Sequence, residues 1–205
     1  MFITFEGLDF CGKSTQVQLL EKYLLENGKK IKLIREPGGT PISEKIRDIL
    51  LDKRNSEMSI QTELVLFSAS RSQLVHQVIL PALEENYFVI SDRFHDSSIA
   101  YQAFGRKINL NFVEELQKFV IDKAVPDITF FLDIPIDEVI LRKSKVKQID
   151  LDRIESSEID FYERVREGYL YLAKKEKRFR MIDGTASIEN IHSKIIKEIE
   201  LKERN

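Results

Sequence analysis

The apolar run Met1-Phe2-Ile3-Thr4-Phe5 leads, one residue later, into Gly7-Leu8-Asp9-Phe10-Cys11-Gly12-Lys13-Ser14-Thr15. No other passage restricts the possible folds as much. A short apolar run reads as a buried strand. The G-x-x-x-x-G-K-[ST] spacing reads as a loop whose amides converge on phosphate oxygens, and the helix that follows turns its positive end toward the same point. Gly7 and Gly12 permit backbone conformations that a Cβ would hinder. In such a loop Lys13 neutralises the β- and γ-phosphates and the Ser14 hydroxyl ligates Mg²⁺. A glycine turn with an incidental lysine is the plainer alternative, but position, register and flanks agree with the phosphate loop.

The rest of the chain continues the pattern. Short apolar runs at Phe2–Phe5, Ile31–Ile34, Tyr87–Ile90, Ile128–Leu132 and Arg178–Ile182 read as strands. Arg178–Ile182 is charged and reads as an edge. Helical patterns lie between them, at Lys13–Asn27, Ile42–Leu51, Ile60–Glu85, Asn111–Val120, Ile136–Lys143, Ile159–Lys175 and Ile188–Leu201. Gly28 reads as a helix stop and Asn111 as a cap. The alternation predicts a three-layer α/β/α fold with a five-stranded, mostly parallel sheet. Ligands in such sheets sit beyond the C-terminal strand ends. The first three strands exit at Glu6-Gly7, Arg35-Glu36 and Ser91-Asp92-Arg93, which places polar groups and a glycine at one crevice.

Composition narrows the classes. A chain of 205 residues fits one domain, and it can bury about 70% of its unfolded surface without a covalent staple. The net charge of −2 gives no reason to expect nucleic acid or a membrane as partner. Cys11 is the one cysteine, which excludes an intrachain disulfide and fits a reducing compartment. It reads as a packed side chain, with a reactive thiol as the alternative. His76, His95 and His192 are scattered and form no zinc spacing. The first strand begins without a leader pattern, and no apolar run approaches a membrane span, so a cytoplasmic protein is expected.

Four constellations carry chemistry. Asp92 is placed to hold Mg²⁺ opposite Ser14, and Arg93 to reach a transferring phosphoryl group; an ion pair closing a turn is the alternative. Arg35-Glu36-Pro37-Gly38-Gly39-Thr40 is a loop with a charged entry, suited to a second substrate. Phe67 and Arg71 share a helix face, where a ring can stack on a base and a guanidinium can bond carbonyl or phosphate oxygens. By spacing alone, beside Leu64, Val65 and Leu66, Phe67 reads first as core. Lys143–Asp152 reads as a mobile loop in a basic neighbourhood of Arg142, Lys143, Lys145, Lys147 and Arg153, which serves either as a solvated face or as a flap over a triphosphate.

In order along the chain, the phosphate loop, Arg35–Thr40, Leu66-Phe67-Ser68-Ala69-Ser70-Arg71, Asp92-Arg93-Phe94 with Ser97-Ser98-Ile99-Ala100-Tyr101-Gln102, and Asp152-Arg153-Ile154-Glu155 resemble the bacterial thymidylate kinases, of the nucleoside monophosphate kinase family. The resemblance implies one domain over 1–205, an acceptor-binding region at 36–75 and a flexible lid at 142–157. It implies transfer from ATP to dTMP with Mg²⁺, and a homodimer. It places Phe67 on the thymine and Arg71, Ser98 and Gln102 at the base. Tyr101 and Asp9 fall by the deoxyribose, Arg93 and Arg47 by the acceptor phosphate, and Glu36 near that phosphate and the metal. Arg142 falls by the adenine. The loop has no arginine at its variable positions, and family members of that kind take their catalytic arginine from the flap, so the resemblance implies Arg153 in that role beside Lys13, Asp92 and Arg93. Phe10 and Cys11 are bulkier than the residues usual at those loop positions. The alternatives are a kinase for another deoxynucleotide or deoxynucleoside, and a non-catalytic nucleotide-binding module.

Overall fold

A computed structural model describes residues 1–145, 151–155 and 157–204. Lys147 and residues 146–150 of the expected loop lie outside the described residues. The sheet contains β1 (Phe2–Glu6), β2 (Ile31–Arg35), β3 (Phe88–Asp92), β4 (Ile128–Asp133) and β5 (Phe179–Asp183). All pairings are parallel and the order is β2-β3-β1-β4-β5. The charged fifth run is therefore an edge, as its composition predicts. β1 is buried along its whole length at the centre. Chain order reverses on its two sides, so its C-terminal end is the switch point where a crevice forms. The register brings Asp92 level with Phe5 there.

The helices are α1 (Lys13–Glu26), α2 (Pro41–Leu51), α3 (Ile60–Leu74), α4 (Leu80–Glu84), α5 (His95–Ser98), α6 (Leu110–Ile121), α7 (Ile136–Lys143), α8 (Ile159–Lys175) and α9 (Ile188–Arg204). Thr40 caps α2, its hydroxyl accepting from the Ser43 amide at 3.0 Å, with Pro41 pre-set in the first turn. Asn109 rather than Asn111 caps α6: its side chain accepts from the Phe112 amide at 3.0 Å.

Two stretches depart from the expected pattern. The single helix expected over Ile60–Glu85 is interrupted by wide π turns at Val75–Ile79. Pro81 explains the break, because it lacks the amide that would bond the carbonyl four residues back and its ring crowds that carbonyl. The second stretch, 95–105, lies outside the helical patterns read from the sequence but winds as α5 followed by π turns at Ile99–Gly105. Such i→i+5 winding spoils the 3.6-residue periodicity by which a helix is read. It also carries Ser98, Tyr101 and Gln102 to the crevice.

Two hydrophobic clusters fill the layers on the sheet. Leu8 and Cys11 belong to the larger, each 1% exposed. Of the nine loop residues, these two therefore turn their side chains into the core and offer a phosphate only backbone. Cys11 is the packed residue its plainer reading implies. A Cβ on Gly7, whose φ is +140°, would lie 2.6 Å from the Leu132 carbonyl oxygen and 2.9 Å from Cys11 Sγ. The loop thus closes on β4 only with glycine there.

Candidate active site

A cleft of about 520 Å³ lies beyond the C-terminal ends of β1, β2 and β3, a size that suits a small-molecule ligand. One wall is Asp9, Phe10 and the residues 12–15 of the phosphate loop. The other is Glu36, Arg47, Phe67, Arg71, Ser98, Tyr101 and Gln102, with Asp92 and Arg93 between. Predicted site residues from the phosphate loop, the exits of β2 and β3, α2, α3 and the stretch 95–105 thus face one space. Arg35, Pro37, Leu51, Ser97, Asp152, Ile154 and Glu155 also line it.

The loop wraps a buried cation. Lys13 Nζ donates to the carbonyls of Leu8 at 2.8 Å and Gly7 at 3.2 Å. Arg93 Nη1 donates to the same Gly7 carbonyl at 2.9 Å. The two positive groups therefore meet at the loop's first glycine. Arg93 has φ +69°, a left-handed conformation that a non-glycine residue keeps only where its surroundings enforce it. Its guanidinium is fixed by Asp9 Oδ1 at 2.5 Å, by the hydroxyls of Tyr101 and Tyr169 at 3.0 and 3.1 Å, and by the Tyr101 ring, 4.9 Å away. Burial opposes charge on Asp9, but Arg93 and Lys13 hold its carboxyl below the ordinary range. Tyr101 also donates to Asp9 Oδ2 at 3.1 Å.

Beneath Arg93 lies a group that sequence reasoning left without a role. Glu6 is fully buried and accepts from the Phe94 amide and the hydroxyls of Ser97 and Tyr169, at 2.6–2.8 Å. Burial, reinforced by Asp96, pushes its carboxyl up to about 7. Its place at a strand exit was the one signal available, since its partners lie about 90 and 160 residues away in sequence.

The opposite wall is built around Arg71, only 2% exposed. It donates through Nε to Glu36 Oε2 at 2.7 Å, through Nη1 to Ser98 Oγ at 2.8 Å and Gln117 Oε1 at 2.6 Å, and through Nη2 to the Phe94 carbonyl at 3.1 Å. Burial pushes the Glu36 carboxyl up, against the pull of Arg71. Glu36 Oε1 is buried and bonded to nothing among the described residues. Phe67 is half-buried and belongs to neither hydrophobic cluster, which goes against its reading as core. Arg47 Nη1 donates to the Pro37 carbonyl at 2.8 Å, as Arg35 does at 2.9 Å.

Ser14 Oγ donates to Asp92 Oδ2 at 2.8 Å. A hydroxyl and a carboxylate, both hard oxygen donors beside the phosphate loop, suit Mg²⁺, which takes one or two protein oxygens and completes its shell with water and phosphate. The described residues hold no larger His/Cys/Asp/Glu cluster.

Two predicted arginines are not among the residues that line this cleft. Arg142 on α7 donates to the Phe10 and Gly184 carbonyls and to Glu138, beside the loop. Arg153 lies between the end of α2 and the first turn of α3. Its Nε donates to the Leu50 carbonyl at 2.8 Å and its Nη1 pairs with Glu63 at 2.8 Å, so the guanidinium faces α2 and α3 rather than the phosphate loop. A buried carboxylate draws it there, and a run of charges in sequence carries no signal for that direction.

A five-stranded parallel sheet with a phosphate loop at its switch point and a second polar wall opposite defines a P-loop phosphotransferase of nucleotides. The thymidylate kinase family model matches residues 5–195. The chain is 51% identical to the thymidylate kinase of Thermosipho melanesiensis over 95% of each chain. It is 47% identical to that of Kosmotoga olearia over 97% of this chain and 94% of the other. The crystal structure of thymidylate kinase from Ehrlichia chaffeensis superposes with a TM-score of 0.77 at 37% identity, over 97% and 98% of the two chains. The chain belongs to the thymidylate kinase family, and its activity is the phosphorylation of dTMP. No helix among the described residues is long and apolar enough to cross a membrane.

Proposed function

We propose that ATP lies with its phosphates on the loop Gly7–Thr15 and that dTMP takes the opposite wall, its phosphate against Arg93 and its base against Phe67, Arg71, Ser98 and Gln102. The observation that carries this is the convergence of Lys13 and Arg93 on the Gly7 carbonyl, between the two walls. Transfer of a phosphoryl group demands positioning and charge neutralisation more than covalent chemistry. Lys13 and Arg93 are held by protein oxygens before the reaction begins, so stabilising the in-line transition state requires little reorganisation of either. Asp9 keeps Arg93 aimed. Tyr101 stands where the sugar of dTMP would lie. The acceptor phosphate is already anionic, so no strong general base is needed. Ser14 and Asp92 would hold Mg²⁺, directly or through water. When bound, that ion neutralises donor phosphate oxygens. Arg142, next to Phe10, would line the adenine. Arg47 and Glu36 complete the acceptor wall.

We assign residues 36–75 to acceptor binding and 142–157 to the lid of one domain, with Arg153 tying lid to acceptor region. The same reading includes a homodimer through α3 and α6. Val65 on α3 and Phe112 on α6 are each 56% exposed, and Phe119 on α6 is 81% exposed, an apolar surface that a second copy would cover.

The acceptor assignment is tested at Phe67. Because this ring lines the cleft outside both clusters, Phe67→Ala is expected to raise KM for dTMP about tenfold, the loss of one base–aromatic stack, while KM for ATP and the melting temperature stay near wild type. Unfolding of the variant would return Phe67 to the core and remove it from the site.

A further inference from the structure

Glu63 lies in the first turn of α3, 1% exposed, on the face that carries Phe67 and Arg71 one and two turns later. Three side chains converge on its carboxylate. Gln102 Nε2 donates to Oε1 at 3.1 Å. Arg106 donates through Nε to Oε1 and through Nη2 to Oε2, each at 3.1 Å. Arg153 pairs with Oε2 at 2.8 Å. Arg106 is itself seated over the Phe161 ring at 4.3 Å. Burial opposes charge on Glu63, but Arg106, Gln102 and Arg153 hold its carboxyl below the ordinary range.

We propose that Glu63 is a positioning residue for base selection: it fixes the Gln102 side-chain amide with its nitrogen turned away from the substrate and its carbonyl oxygen presented to the pyrimidine. The proposal rests on the reading above that Gln102 meets the base. An ionised carboxylate only accepts hydrogen bonds, so the amide of Gln102 has one permitted orientation against it. Nε2 faces Glu63, and Oε1 is the group left for the cleft that Gln102 lines. An acceptor at that point suits a base whose ring N3 carries a proton, as thymine and uracil do. It opposes cytosine, whose N3 is itself an acceptor. A glutamine free to turn over would offer its amino group instead and accommodate either base. The two arginines keep Glu63 ionised, and through Arg153 the lid contributes to that orientation without touching the base.

The test is the ratio of kcat/KM for dTMP to that for dCMP. Glu63→Gln keeps the shape of the side chain but lets both amides turn over. It is expected to lower the ratio about tenfold, the scale of one hydrogen bond made or lost, mainly through KM for dTMP. Gln102→Leu is expected to lower it at least as far. The double variant should fall no further than Gln102→Leu alone, because Glu63 acts through Gln102. A ratio that falls in Gln102→Leu but holds in Glu63→Gln overturns the role of Glu63. A ratio unchanged in Gln102→Leu overturns the placement of Gln102 at the base, and this proposal with it. A purely structural Glu63 would weaken both substrates alike and leave the ratio where it was. One measurement needs no change at Glu63. In the wild-type protein, the Gln102 side-chain amide protons, assigned by NMR through their loss in Gln102→Leu, should exchange slowly with solvent. Exchange at the rate of a free glutamine amide would contradict the bond to Glu63.

Discussion

Arg93→Ala is expected to lower kcat by about 10³-fold, the lower end of what a transition-state arginine contributes to phosphoryl transfer. The guanidinium does not reach the cleft as a loose surface charge. It is clamped by Asp9, Tyr101, Tyr169 and the Gly7 carbonyl, in a backbone conformation that its surroundings impose. Alanine leaves that clamp empty and removes one of the two cations at the proposed donor–acceptor junction. Asp9 keeps hydrogen bonds from the hydroxyls of Tyr101 and Tyr162 and the field of Lys13. The fold should therefore survive with a loss of about 2 kcal/mol, typical of a broken charged hydrogen bond. Arg93→Lys restores the charge without the fork and should recover only part of the rate. Steady-state kinetics together with thermal unfolding separate the two effects. A kcat within tenfold of wild type in folded Arg93→Ala would remove Arg93 from the chemistry.

Arg71→Met is expected to be the most destabilising single change at the site. Arg71 and Glu36 are 2% and 3% exposed at their side chains and stand 2.6 Å apart. Removing the cation strands a carboxylate that already has one oxygen without a partner. Breaking such a pair costs about 3–5 kcal/mol. For a chain of this size that is a fall in melting temperature of roughly 10 °C. Ser98, Gln117 and the Phe94 carbonyl lose a donor in the same step. Replacing both members, Arg71→Met with Glu36→Gln, should recover most of the stability, because the lone buried charge is gone. It should not recover dTMP binding. Calorimetry of the two variants decides between this and a site that tolerates the change. A single variant as stable as wild type would show that Glu36 is not held by Arg71.

Much of this was legible in the sequence, for identifiable reasons. The phosphate loop combines fixed spacing with a strand before it and a helix after it, and each constrains the others. Near-continuous apolar runs mark strands covered on both faces, so sheet and layers follow. Phe67 and Arg71 could be placed on one face by a four-residue spacing alone. Their surroundings could not. Whether Phe67 packs in the core or lines a cleft depends on what lies across from it, and Glu36 lies 35 residues from Arg71 in sequence. The helix over 95–105 was missed because π winding has no signature in a 3.6-residue reading. The break before α4 could have been seen at Pro81. Glu6 and Glu63 were passed over because a buried carboxylate is defined by partners that only tertiary structure assembles. The partner of Arg153 was hidden for the complementary reason: its charge was legible, but the buried anion it pairs with was not.

In the proposed mechanism donor and acceptor meet between Lys13 and Arg93. A crystal structure with dTMP and a non-hydrolysable ATP analogue tests it most directly. The dTMP phosphate should be bonded to Arg93, the thymine ring should lie against Phe67, and the terminal donor phosphate should sit on Lys13 Nζ. A dTMP molecule with its phosphate away from Arg93, or its ring clear of Phe67, would contradict it.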